Sequence, residues 1–195
     1  VKAERTRQLI IEKTAPLFNM KGFDGTTLSD MEKATGLTKG SLYGNFRDKD
    51  EIAAEAFRYS MRKVKLLVRE KVDAVLTNKK QLEALLDFYA EYVFDPPIAG
   101  GCPLLNTAIE VDDVRASMRR VVVKELIATI DFISSLLEKG VKAGEFQKGI
   151  NPRELAYTFF CAVEGAVIFS RVERSEEPMK IVVAHCKSIL ERIRK

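Results

Sequence analysis

The sequence predicts an all-α protein, and three observations carry that prediction. Apolar residues recur at spacings of three and four through nearly every segment. Glycine and proline fall at the joints between those segments, as in Gly36 and the stretch DPPIAGG. Hydroxyl and carboxylate residues stand where a helix start needs a cap, as Thr27, Thr38 and Asp48 do. Alternating polar and apolar runs, the mark of strands, are weak throughout.

The elements follow in order. Ile10, Thr14, Leu17, Phe18 and Phe23 line one face of a first helix that closes on the glycine within Lys21–Phe23, and Pro16 predicts a bend inside it. Thr27 with Asp30 three residues later has the form of a capping box, and Gly36 stops the second helix after about two turns. Thr38 caps a third helix that runs through Phe46. Asp48 caps a fourth, with Asp50 and Glu51 favourable in its first turn, running past Leu67. Residues 77–80 read as a polar joint and 82–94 as an amphipathic helix. Helices at about 103–112, 114–140, 152–174 and 178–194 complete a set of nine. The expected organisation is a DNA-binding domain over 1–47, a connecting helix over 48–75 and a helical body over 76–195.

Composition narrows the class. Of 195 residues 46% are hydrophobic and 31% charged, the balance of a folded, cytoplasmic protein with a core of useful size. A net charge of +4 permits a polyanionic partner without demanding one; residues 1–50 hold nine basic and seven acidic side chains, so charge alone identifies no site. Six basic residues against one acidic from Arg58 to Lys71 read as a solvated helix face. Cys102, Cys161 and Cys186 are odd in number and scattered, which gives neither a disulfide framework nor metal-ligand spacing. No metal or cofactor is expected. The richest apolar stretch is broken by Glu164, so no membrane span is expected, and the charged start VKAERTRQ does not read as a secretory leader. Nucleophile elbows, dinucleotide fingerprints and phosphate loops are absent, and the single histidine, His185, has no partner at ligand spacing. The sequence therefore does not predict an enzyme.

Function concentrates in TGLTKGSLYGNF, residues 35–46. Three glycines weaken this short helix by roughly 0.8–1 kcal/mol each relative to alanine where they are interior, yet Leu42, Tyr43 and Phe46 sit at helical spacing. Small residues outside and large ones inside suit a recognition helix whose backbone must approach phosphates closely. The Thr38 and Ser41 hydroxyls would donate to phosphate oxygens, Lys39 supplies charge, and Tyr43 would lie along the sugar-phosphate chain. Leu42 and Phe46 would pack against Leu28, Met31 and the first helix.

With Ile10, Phe18, Gly22-Phe23, Thr26-Thr27, Gly36, Thr38 to Tyr43, Asn45-Phe46, Lys49 and Ile52 in view, residues 5–60 resemble the DNA-binding domain of the TetR family of bacterial transcriptional regulators. Met31, Glu32 and Thr35 depart from its usual isoleucine, alanine and alanine. The resemblance implies an all-α homodimer with an N-terminal helix-turn-helix domain and a C-terminal ligand-binding and dimerisation domain. It implies Thr27 as the cap of the second helix, Thr38 to Asn45 as the recognition helix and Lys49 as a phosphate contact; the candidate DNA-binding set is then Arg5, Thr26, Thr27, Thr38, Lys39, Gly40, Ser41, Tyr43, Asn45 and Lys49. Arg5 and Arg7 reach the DNA backbone or minor groove, or are solvated. The partners implied are double-stranded operator DNA, a second copy through the last two helices, and a small-molecule effector.

The C-terminal body says less. Leu155, Phe159, Val163, Ala166 and Val167 form one apolar stripe, and Ile181, Val182, His185, Ile189 and Ile193 another. Paired with their copies they would build a four-helix dimer bundle; the alternative is an internal core. Candidate effector-pocket residues are Phe88, Tyr92, Cys102, Leu105, Ile109, Phe132 and Phe160. Pro103 suits a first helical position, which sets Cys102 at an N-cap where the helix dipole would lower a thiol pKa. The function expected is a ligand-responsive repressor that binds an inverted-repeat operator and is released by a small molecule or by cysteine modification. A helical interaction module without DNA binding is the rival, with Glu32 its support.

Overall fold

The computed structural model describes residues 2–111 and 115–195, and among them the backbone is helical apart from turns and one isolated bridge, between Phe146 and Arg194. In order come α1 (Lys2–Gly25), α2 (Leu28–Thr35), α3 (Lys39–Asn45), α4 (Lys49–Asp73), α5 (Asn78–Tyr92), α6 (Pro103–Val111), α7 (Ala116–Lys142), α8 (Pro152–Glu173) and α9 (Glu177–Arg192). The expected helix end at 112 and helix start at 114 lie outside the described residues.

Local chemistry explains most boundaries. Non-helical dihedrals interrupt α1 at Gly22, with φ 70°, and not at Pro16. Thr27 and Asp30 form the reciprocal capping box, and Gly36, at φ 71°, ends α2 in the left-handed conformation that glycine adopts without strain. Thr38 caps α3, its Oγ1 accepting the Ser41 N–H. Asp48 Oδ1 accepts the Glu51 N–H at 2.8 Å at the head of α4. Helix α5 starts earlier than expected: Thr77 is its N-cap, and the Glu145 carboxylate accepts the Asn78 and Lys79 N–H groups at 3.1 and 2.9 Å. The stretch read as a polar joint is thus a capped first turn, and the capping partner is remote in sequence.

The chain divides into two compact units, Val1–Val64 with Pro97–Lys124 and Lys65–Pro96 with Glu125–Lys195. This division crosses the sequence-based boundaries at 47 and 75, because α6 and the first turns of α7 belong to the unit of α1–α3. In the first unit α1 packs against α2, α3 and α6. Its core is Ile10, Ile11, Met31, Leu42, Phe46 and Ile52, all buried. Asn19 joins α1 to the GGCPLLN stretch: its amide donates to the Ala99 and Gly101 carbonyls, both at 2.9 Å. Gly100, at φ 110°, lies so close to the Asn19 carbonyl that a Cβ there would stand 2.8 Å from its oxygen. Only glycine fits that position.

In the second unit α9 packs against α5 and α8. Phe159, Val163, Ala166 and Val167 of α8 are buried, as are Met179, Val183, Cys186 and Leu190 of α9, and the two helices pack together. This corrects the expectation that the α8 stripe faces a second copy: it is internal core. On α9 the expected stripe is instead the outer one, with Ile181 and His185 exposed. Helix α8 is also long and apolar enough to cross a membrane by length and composition, contrary to the expectation, but its core face is packed inside this unit. Gly140 of α7 meets the Phe146 ring, where a Cβ would stand 2.3 Å from a ring carbon.

Candidate nucleic-acid interface

Helix α3 is held from within and left open without. Leu42 and Phe46 are buried in the first unit's core, and the Tyr43 ring packs partly against it. Lys39, Gly40 and Gly44 are exposed, and a Cβ added at Gly44 would meet nothing within 4 Å. Ser41 and Asn45 are half-buried, Asn45 donating from Nδ2 to the Ser41 carbonyl at 2.8 Å. The helix therefore offers a low outer surface at Gly40 and Gly44.

Two side chains, Glu32 and Arg7, fix its ends and were not foreseen. Glu32 Oε1 accepts the Lys39 N–H at 2.7 Å, so the α2 residue that departs from the family pattern completes the N-terminal capping of α3. At the other end Arg7 Nη1 donates to the Asn45 carbonyl at 2.7 Å, and Nη2 pairs with Glu51 at 2.7 Å. The Arg7 guanidinium also lies 4.0 Å from the Phe46 ring centroid. A cation at a helix C-terminus complements the helix dipole, so Arg7 is a clamp, while Arg5 is exposed. No local signal marks either contact, since Glu32 and Lys39 are separated by the turn and Arg7 and Asn45 by most of the domain.

The remaining expected residues separate by exposure. Thr27 is exposed and engaged in the capping box, its hydroxyl donating to Asp30 Oδ2 at 2.9 Å. Asp30 is held well below the usual carboxylate range, first by the Lys21 ammonium and then by the Thr27 N–H and hydroxyl. Thr26 is a correction: it is fully buried, and its hydroxyl donates to the Gly22 carbonyl at 2.6 Å, bridging the break in α1. Its side chain cannot meet DNA. Lys49 is half-buried at the start of α4 with its ammonium 4.3 Å from the Phe23 ring centroid.

Two family profiles match the chain: bacterial regulatory proteins, tetR family, over residues 10–56, and the tetracyclin repressor-like C-terminal domain over residues 79–186. A TetR-family transcriptional regulator from Cytophaga hutchinsonii is 36% identical, with TM-score 0.92 over 100% of this chain and 97% of that one. The chain belongs to the TetR family. A TetR regulator from Chloroflexus aurantiacus is 32% identical, with TM-score 0.95 over 99% and 98% of the two chains. The transcriptional repressor NemR of Escherichia coli is 24% identical over 95% of this chain and 94% of its own. This TetR-family protein is accordingly a DNA-binding transcriptional regulator with an N-terminal helix-turn-helix and a helical C-terminal domain.

The seven residues expected to line an effector pocket divide between the two units. In the second, Phe88, Tyr89 and Tyr92 form a ring cluster with centroids 5.5–5.8 Å apart. Phe160 lines a crevice of about 20 Å³ with Leu82, Leu86, Tyr89 and Ile133, room for about one water molecule. Phe132 is half-buried. In the first, Cys102 is buried at the N-cap position of α6, Leu105 is half-buried, and Ile109 is 65% exposed on an open groove. Burial pushes the Cys186 thiol up to about 11, which makes it inert at neutral pH. Among the described residues no cluster could hold a metal ion.

Proposed function

We propose that this regulator is a cytoplasmic repressor that binds an inverted-repeat operator as a homodimer and is released by a small molecule. The observation that carries the reading is the open outer surface of α3, with Lys39, Gly40 and Gly44 exposed above a core-locked Leu42 and Phe46. Lys39, Ser41, Tyr43 and Lys49 are the phosphate and base contacts, Thr38 and Thr27 hold the helix starts, and Arg5 reaches the flanking DNA backbone. Two such helices about 34–36 Å apart would read one turn of B-DNA.

The dimer forms through the outer faces of α8 and α9. Phe169 and Val172 are 61% and 79% exposed, and Ile168, Ile181 and Tyr157 extend the same apolar surface, which suits an isologous interface. The effector enters the second unit near Phe88, Tyr92, Phe132 and Phe160, and its coupling to DNA affinity is of the usual ~1–3 kcal/mol. Modification of Cys102 is the alternative trigger; labelling at neutral pH no faster than free cysteine would exclude it.

Fluorescence anisotropy on DNA from upstream of the protein's own gene tests the reading, with a scrambled fragment and two salt concentrations as controls. Specific binding that weakens steeply with salt, and collapses in Tyr43→Ala and Lys49→Ala with helicity intact, is the expected result. Equal, feeble binding to both fragments would overturn it for that operator and favour an interaction module.

A further inference from the structure

We infer that the first unit carries a small-molecule site of its own, built for an uncharged ligand of one ring and a short chain bearing a carbonyl oxygen. The site is a cavity of about 220 Å³, just below the ~300–1,000 Å³ of drug-sized pockets. Phe18 and Phe23 of α1, Ala54 and Phe57 of α4, Val111 of α6 and Met118 of α7 give it apolar walls.

One polar group in it lacks a partner. The Arg115 guanidinium lies 3.5 Å from the Phe23 ring centroid, and its terminal nitrogens pair with Asp24 and Asp50 at 2.7 and 3.3 Å. Its Nε is shielded from solvent and donates to no protein atom, among the described residues. A buried donor without an acceptor is a standing cost, and a ligand carbonyl oxygen removes it. Such an oxygen completes the guanidinium, while the ring packs among the phenylalanines.

Charge selects against ions. Arg47, Arg58 and Arg115 line the cavity against Asp50, Glu51 and Glu110, a balanced set. Its members are already engaged: Arg47 with Asp48, Arg58 with Glu55, Glu51 with Arg7, and Glu110 with the backbone N–H groups of Phe23 and Asp24. An entering anion would face the Asp50 carboxylate, and an entering cation would find no uncommitted one. An occupant touches Phe23, whose ring also holds Lys49, and Asp50 at the head of α4. It therefore shifts DNA affinity.

Binding is measured first without DNA, which separates this site from the operator reading. The full chain with ¹³C-methyl methionine is titrated with 3-phenylpropionamide, and with 3-phenylpropionate and propylbenzene as controls. Met118 lines the cavity, Met31 reports the core of the reading head, and Met179, buried in the second unit, is the internal reference. The expected result is a saturable shift of Met118 by the amide with Met179 unmoved. The affinity falls at least fivefold in Arg115→Met and is lost in Ala54→Phe, with the Met31 signal unchanged in both variants. No saturable Met118 shift, or equal affinity in Ala54→Phe, overturns the site. Binding of the carboxylate as tight as that of the amide overturns the ligand class. An unchanged affinity for DNA carrying the upstream fragment, at saturating amide, overturns the coupling.

Discussion

The carboxylate of Glu32 accepts the backbone N–H of Lys39 at 2.7 Å, tying α2 to the leading edge of α3. That N–H is one of the orphan donors of a helix start, and helix starts are where phosphates bind. Glu32 therefore does two opposed things. It orders the recognition helix and places a negative charge where DNA must come.

Glu32→Gln separates the two effects, because the amide oxygen still accepts the N–H while the charge is gone. A charge at a helix terminus is worth ~0.3–1 kcal/mol, so DNA affinity at low salt should rise about two- to fivefold. Thermal stability should fall slightly, by at most the ~0.3–1 kcal/mol that the charge contributes at the helix start. Anisotropy at two salt concentrations reads the change, and the gain should shrink at the higher one. An unaltered affinity would show that no phosphate approaches Lys39.

Arg7 fastens the opposite end of α3 through the Asn45 carbonyl, Glu51 and the Phe46 ring. Arg7→Ala should cost about 1–3 kcal/mol, as losses of charged hydrogen bonds do. Thermal unfolding measures that loss. DNA affinity should fall too, since α3 loses its fixed angle. Arg7→Lys restores a charge but not the fork that spans both acceptors, and so should recover only part of the stability. Full recovery by lysine would mean that charge alone matters.

How much of this was legible in the sequence depends on separation along the chain. The capping box of Thr27 with Asp30, the stop at Gly36 and the cap at Thr38 are written within four residues, and each stands where periodicity puts it. Glu32 with Lys39, Arg7 with Asn45, and Glu145 with the start of α5 join distant segments, which no local pattern encodes. Thr26 looked like its exposed neighbour Thr27 because a hydroxyl in a turn is compatible with either fate. The α8 stripe failed differently. Helix α8 has apolar residues on two faces, and periodicity alone could not say which face the chain covers itself.

Acid should weaken the reading head. Asp30 is held below its usual range by Lys21 and then Thr27; Asp48 by the Glu51 N–H and then Arg47; Glu51 by the Arg47 N–H and then Arg7. For a carboxyl depressed in the folded state, stability is present above the unfolded value, 3.8 for aspartate and 4.5 for glutamate, and is lost as pH falls through the folded one. Thermal melts should therefore drop steadily below about pH 4.5. Asp30→Asn should start lower at neutral pH and show a shallower decline. An equally steep decline in that variant would assign the acid response to other carboxylates.

Phe169 and Val172 lie on the α8 face that the second unit leaves uncovered, and Ile181 of α9 is exposed as well. A charge at the centre of an isologous apolar interface is placed against its own copy, so each substitution acts twice. Phe169→Glu with Val172→Glu should shift the protein from dimer to monomer in analytical ultracentrifugation at micromolar concentration. Helicity should remain, because neither side chain belongs to the α8 core of Phe159, Val163 and Val167. Affinity for an inverted repeat should fall by about 10²–10⁴, the loss of linked binding to two half-sites. Binding to a single half-site should persist at its intrinsic, weaker level. A variant that stays dimeric would place the interface on another face and leave the exposed α8 surface to a different partner.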